Sequence, residues 1–170
     1  TIFVETVGVG QSEIAVHSMV DFFLLLLLPG AGDELQGIKR GIVEMADLVA
    51  VNKADDNRLK LAKQARQEYR NALHLFPAKE SQWVTQAVIC SALSGMGIAD
   101  IWETIMNYKD FVHQNGYFNI RREQQAKYWF YESIQAKLQI LFFEDQAVKN
   151  QLQTIEQAVL ATKLSPFHAA

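Results

Sequence analysis

Leu48-Val49-Ala50-Val51-Asn52-Lys53-Ala54-Asp55 decides the fold. Four apolar residues in succession, two of them β-branched, have the composition of a strand buried on both faces, as parallel strands are. The polar Asn-Lys-x-Asp tetrad then falls in the loop at the strand's carboxyl end, the edge of an open α/β sheet where ligands bind. A carboxylate at Asp55 can accept two hydrogen bonds, from the ring N–H and the exocyclic amine of guanine; adenine offers no such pair of donors. The aliphatic stem of Lys53 is long enough to lie over a base, and Asn52 can tie neighbouring loops together. Taken alone, the tetrad fits a solvated turn after a strand equally well.

Composition bounds the rest. The 170 residues suffice for one domain with a sizeable core, and 49% hydrophobic and 21% charged residues are those of an ordinary soluble globular chain. A net charge of -3 without a basic block gives no footprint for nucleic acid. Cys90 is the one cysteine, which excludes an internal disulfide and a cysteine metal cluster and fits a reducing cytoplasm. The longest apolar run, Phe22 to Leu28, is far shorter than the roughly 20 residues of a membrane helix and reads as a second buried strand. No export signal is visible, and the chain starts without Met inside a strand-like run, Thr1 to Val4, so a segment of something longer is expected.

The first strand leads into Glu5-Thr6-Val7-Gly8-Val9-Gly10-Gln11, a loop whose Glu-x-x-Gly spacing is similar to the Asp-x-x-Gly element of GTPases. There the carboxylate holds the Mg²⁺ shell and the glycine N–H senses the terminal phosphate; a two-glycine turn is also commonplace. Gln11 to Val20 reads as a short helix. Pro29 to Asp33 breaks the second strand, and helical spacing resumes from Glu34 to Met45, with Asp33 as cap and Gln36 completing a capping box. Asp56 or Asn57 is expected to cap an amphipathic helix reaching about Leu75. Ala87 to Cys90 forms a further strand, ending in Ser91-Ala92-Leu93-Ser94-Gly95-Met96-Gly97. A Ser-Ala turn at this distance after Asn-Lys-x-Asp resembles the second guanine-contacting loop of GTPases, in which the N–H at the Ala92 position reaches the base carbonyl oxygen. Gly97 opens a helix on Ile98, Ile101, Trp102, Ile105 and Tyr108, with Trp102 expected as a core anchor.

Strands alternating with helices imply a parallel sheet. Beyond Gly116 the pattern becomes two long amphipathic helices, Arg121 to about Phe143 and Gln146 to about Lys163, joined at Glu144-Asp145 and stopped by Ser165-Pro166. The division expected is 1–116 for part of a GTPase domain and 117–170 for a helical arm.

Glu5-x-x-Gly8, Asn52-Lys53-x-Asp55 and Ser91-Ala92 stand in GTPase order at strand ends. Together with the connecting residues Thr6 to Glu13, Gly30 to Gly41 and Ala46-Asp47-Leu48, the chain closely resembles the GTPases that chaperone adenosylcobalamin-dependent methylmalonyl-CoA mutase (MeaB/ArgK-like, also labelled lysine/arginine/ornithine transport ATPases). The resemblance implies a homodimeric, cytoplasmic P-loop GTPase using GTP/GDP and Mg²⁺ to gate cofactor delivery to the mutase and to protect it. It carries an Mg²⁺ role onto Glu5, the γ-phosphate onto Gly8, and base contacts onto Asn52, Lys53, Asp55, Ser91, Ala92 and Leu93. Gln11 is a candidate to orient the attacking water, though its spacing from Gly8 departs from the usual one. Gly10 to Glu13 would be a nucleotide-sensing switch, Gly30 to Lys39 a second switch facing the mutase, and the helical hairpin the dimerisation arm.

One departure is as informative. No G-x-x-x-x-G-K-[ST] occurs anywhere, so the phosphate cradle, its lysine and the hydroxyl ligand of Mg²⁺ are missing. The fold class expected is therefore α/β, a mostly parallel P-loop GTPase sheet lacking its phosphate-loop strand, followed by a helical hairpin. In isolation such a chain is expected to bind GTP poorly and to be inactive. Two alternatives stand beside this reading: a non-catalytic interaction or dimerisation remnant, and a nickel-insertion GTPase. The second is disfavoured because His17, His74, His113 and His168 are scattered and no Cys-x-x-Cys occurs.

Overall fold

A computed structural model describes residues 1–6, 12–30 and 40–169. Three parallel strands, β1 (Leu24–Leu27), β2 (Leu48–Val51) and β3 (Gln86–Ile89), form a sheet in the order β1-β2-β3. The helices are α1 (Ser12–Met19), α2 (Arg40–Met45), α3 (Leu59–Leu73), α4 (Ile98–Gln114), α5 (Tyr117–Glu144), α6 (Gln146–Leu160) and α7 (Pro166–Ala169). Residues 1–125 and 126–170 make up two compact units.

In the first unit β2 is the axis. All four of its residues are fully buried, as a run of Leu-Val-Ala-Val requires. Strand alternation sends Val49 and Val51 into one core with Phe23, Val43, Ala62 and Tyr69, and Leu48 and Ala50 into another with Cys90 and Ile101. Helices thus cover both faces, α2 and α3 on one and α4 on the other.

The amino-terminal ends of the strands are bolted together by Asp47. Its Oδ2 accepts from the Phe23 N–H at 2.9 Å, and its Oδ1 pairs with Lys79 Nζ at 2.8 Å. The ammonium also donates to the Met45 and Ala46 carbonyls, and Trp83 Nε1 donates to the Asp47 carbonyl at 3.0 Å. Nearby, the Arg121 guanidinium donates to the His17 carbonyl and lies 3.2 Å from both ring nitrogens. Burial first, then the Arg121 charge, lowers the His17 imidazole to about 4.

Several expectations are corrected. Thr1 to Val4 is no strand: no ladder partner lies beside it among the described residues, and Ile2 and Phe3 are 90% and 79% exposed. The cap position of α3 is neither Asp56 nor Asn57: a 3₁₀ turn, Asp56–Arg58, leads in, and Arg58 occupies the cap position without a side-chain cap bond. Trp102 is 43% exposed rather than a core anchor, because α4 buries the stripe of Ile101, Tyr108 and Val112 and Trp102 lies a fifth to a third of a turn away. The expected Asp33 cap with Gln36 lies outside the described residues.

In the second unit Asp145 is extended (φ -60°, ψ 129°), and its side chain accepts from the Ala147 and Val148 N–H groups, capping α6. Pro166 follows the end of α6 and opens α7 at its first position, where a missing N–H is harmless. Phe130, Leu138 and Leu141 of α5 are 61%, 59% and 68% exposed.

Two outcomes follow for stability. Because the unfolded chain takes up a proton that His17 refuses when folded, stability falls as pH drops from about 6.5 to about 4; urea unfolding of His17→Gln should show that part of the slope removed. Gly97 has φ +73°, and a Cβ there would meet the Ile89 carbonyl oxygen at 2.5 Å, whereas Gly95 (φ +79°) has open space. Gly97→Ala should cost about 2–4 kcal/mol and Gly95→Ala only about 1 kcal/mol in denaturant titration.

Candidate functional site

At the carboxyl ends of β2 and β3 two loops are laced together by backbone hydrogen bonds. The Asn52 N–H donates to the Leu27 carbonyl at 2.8 Å, and the Cys90 N–H to Val51 at 2.9 Å. The chain then reverses at Lys53, whose φ of +58° is unusual for a side-chain-bearing residue. Ala54 N–H returns to the Cys90 carbonyl at 3.0 Å, fixing the Asn52–Asp55 turn against the end of β3.

Asn52 joins the two loops directly. Its Oδ1 accepts from Lys53 N–H at 2.7 Å and from Ala92 N–H at 3.1 Å, across forty positions of sequence, with Cys90 Sγ 3.7 Å away. Ser91 is fully buried and shapes the second loop: its N–H donates to Met96, its carbonyl accepts from Gly95, and its Oγ accepts from Ser94 N–H at 3.2 Å. Gly97 closes this loop directly against the backbone of Ile89 and Cys90.

Among the described residues, then, the structure brings Asn52, Lys53, Asp55, Ser91, Ala92 and Leu93 to one end of the sheet. The Ala92 N–H, expected to face a base oxygen, is engaged by Asn52, while the neighbouring Leu93 N–H makes no hydrogen bond among the described residues and its side chain is 84% exposed. Asp55 Oδ1 is buried without a hydrogen-bond partner among the described residues. A shielded carboxylate oxygen with no donor is costly, and this one has the capacity to accept a hydrogen bond.

The other expected residues stand differently. Glu5 is exposed, and Gly8 and Gln11 lie outside the described residues, as do 31–39 of the expected second switch. No group of three or more His, Cys, Asp or Glu among the described residues can hold a metal ion. Mg²⁺ commonly takes only one or two protein carboxylates and completes its shell with phosphate and water, so Glu5 fits as one ligand at most. A cavity of about 900 Å³ lies at the opposite end of the sheet, lined by Asp47, Lys79, Trp83, His17 and Arg121, and none of the expected site residues borders it. Sequence reasoning missed the roles of Cys90, behind Asn52, and of Gly97 in seating the loop; the Gly95-Met96-Gly97 spacing was the available signal.

Comparison with known proteins places the chain in a family. The family described as "Methylmalonyl Co-A mutase-associated GTPase MeaB" matches residues 1–147. A mouse protein named "Methylmalonic aciduria type A homolog, mitochondrial" is 42% identical over 99% of this chain and 41% of its own length. The Escherichia coli protein named "GTPase ArgK" is 41% identical over 97% of this chain and 50% of its own. A crystal structure titled "LAO/AO transport system kinase" superposes with a TM-score of 0.72 at 34% identity, over 96% of this chain and 52% of that one. The chain thus spans about half the length of the relatives it matches. With its parallel sheet, its laced Asn52 and Ser91 loops and a match over residues 1–147, the chain belongs to the methylmalonyl-CoA mutase-associated GTPase family.

Proposed function

We propose that this chain supplies the base-reading part of a GTPase which, completed by its phosphate-binding part, serves methylmalonyl-CoA mutase by gating adenosylcobalamin delivery and protecting the enzyme. The observation that carries the reading is the buried, unpartnered Asp55 Oδ1 beside a loop pair locked by Asn52. Asp55 accepts the guanine ring N–H and amine, the Lys53 stem covers one face of the base, and the Leu93 N–H is the donor left for its carbonyl oxygen. Asn52, Ser91 and Ala92 act by holding that geometry rather than by touching phosphate. Family membership and the relatives' names support GTP as the nucleotide.

Hydrolysis needs a water in line with the γ-phosphate and donors for the charge that develops. In this reading Glu5 would hold Mg²⁺, which would supply neutralisation of phosphate charge. Gly8 offers its N–H to the γ-phosphate and Gln11 orients the attacking water. Residues 117–170 act as the dimerisation arm, consistent with the exposed apolar side chains along α5, which a second copy would cover. The cytoplasm suits the one buried, unbridged cysteine.

In the protein completed with a phosphate-loop half, Asp55→Asn should weaken GTP binding about 100-fold, the loss of two charge-assisted hydrogen bonds, and shift preference to xanthosine triphosphate. Isothermal titration with both nucleotides checks this; unchanged GTP affinity removes the guanine assignment. Asn52→Ala should weaken both nucleotides alike, because it unties the Ala92 loop without changing the base-reading acceptor.

A further inference from the structure

The cations of α3 are placed against the usual rules of helix stability. Lys60, Lys63, Arg66 and Arg70 stand three, three and four positions apart, so they form one row about 15 Å long on a single side of the helix. The one acidic residue of the helix, Glu68, lies on another side, where it accepts from Gln64 at 3.0 Å. α3 therefore carries a charge of +3 in a chain whose net charge is -3, which leaves -6 on everything else.

Nothing among the described residues answers this row. The ion pairs there, Lys79 with Asp47 and Arg122 with Asp21, lie elsewhere. Lys60, Lys63 and Arg70 are exposed, and half-buried Arg66 has a shielded Nε without a hydrogen-bond partner. The row also begins at the unfavourable end. Arg58 occupies the cap position and Lys60 the first turn, which contains no acid, so both cations meet the positive end of the helix dipole. Like charges three and four positions apart add mutual repulsion. A merely solvated face gains stability from interspersed acids; a face that breaks the local rules without that gain is where function is expected.

We propose that the row from Lys60 to Arg70 is a docking surface for an acidic face of a protein partner, which in the function proposed above is the mutase. Charge complementarity and extent argue for this occupant. A row of about 15 Å matches one acidic helix or loop. Nucleic acid spreads its phosphates over a longer surface and would meet the -6 carried by the rest of the chain. The row starts one 3₁₀ turn after Asp55, so a partner seated on it lies beside the base-reading loop. The identity of the partner as the mutase rests on the proposed function; the acid-binding surface does not.

Two probes separate the surface from the partner. A fluorescent ten-residue polyglutamate peptide is titrated with this chain and read by anisotropy at low salt, and methylmalonyl-CoA mutase is captured on the protein completed with its phosphate-loop half. Combining Lys60→Glu, Lys63→Glu and Arg70→Glu should weaken both at least tenfold, while Lys137→Glu with Lys149→Glu, at exposed lysines elsewhere, should leave both unchanged. Lys60→Glu puts an acid in the first turn, so thermal unfolding of the triple variant should show no loss of stability. Should that variant lose its helical circular dichroism, glutamine at the same three positions decides instead, with at least threefold weakening expected. No peptide binding by the wild type, equal binding by the folded variant, or tighter binding of a DNA strand of equal charge would each overturn the docking surface. Peptide binding without mutase capture keeps the surface and removes the mutase from the proposed function. Mutase capture that survives the triple reversal keeps the partner and overturns the row as its seat.

Discussion

The fold depends on one constraint: a short, wholly apolar strand must have every backbone group paired and both faces covered. β2 meets it through parallel neighbours on each side and helices above and below. Where the strand ends the pairing cannot continue, and a side chain takes over at each end. Asp47 accepts a backbone N–H from the start of β1, and Asn52 accepts one from the loop after β3. The two differ in charge for a physical reason. A carboxylate at 8% exposure needs a counter-ion, which Lys79 provides, whereas a neutral amide needs none.

The legibility of the sequence follows from how local each signal is. β2 and the amphipathic α3 were readable because burial on both faces, or on one stripe, is written in consecutive residues. The Asn52 tie was readable because an amide after a buried strand has few other uses. Thr1 to Val4 has strand composition but no neighbour, and a strand is a property of a pair. Trp102 misled because it lies at one edge of the apolar arc, and α4 buries the other edge, on Ile101, Tyr108 and Val112. The capture of Ala92 N–H by Asn52 depends on a contact across forty positions, which no local pattern encodes. Gly8 and Gln11 gain nothing from the structure, because they lie outside the described residues.

Asp55 and Lys53 carry local cost in this turn. A buried oxygen unpartnered among the described residues and a left-handed lysine each cost about 1–3 kcal/mol. The neighbouring hydrogen bonds of Ala54, Ser91 and Asn52 offset that cost and prevent the loops from relaxing away from it. The rigid lacing and the unsatisfied acceptor are two halves of one arrangement.

Cys90 gives this lacing a chemical handle. Its thiol is buried, its ionisation is pushed upward by burial, and its sulfur sits 3.7 Å behind the amide oxygen that joins the loops. A thiolate reagent can reach it only when that junction opens. The rate of alkylation is therefore a clock for breathing of the loop pair, carried by the one cysteine of the chain and readable without any added label.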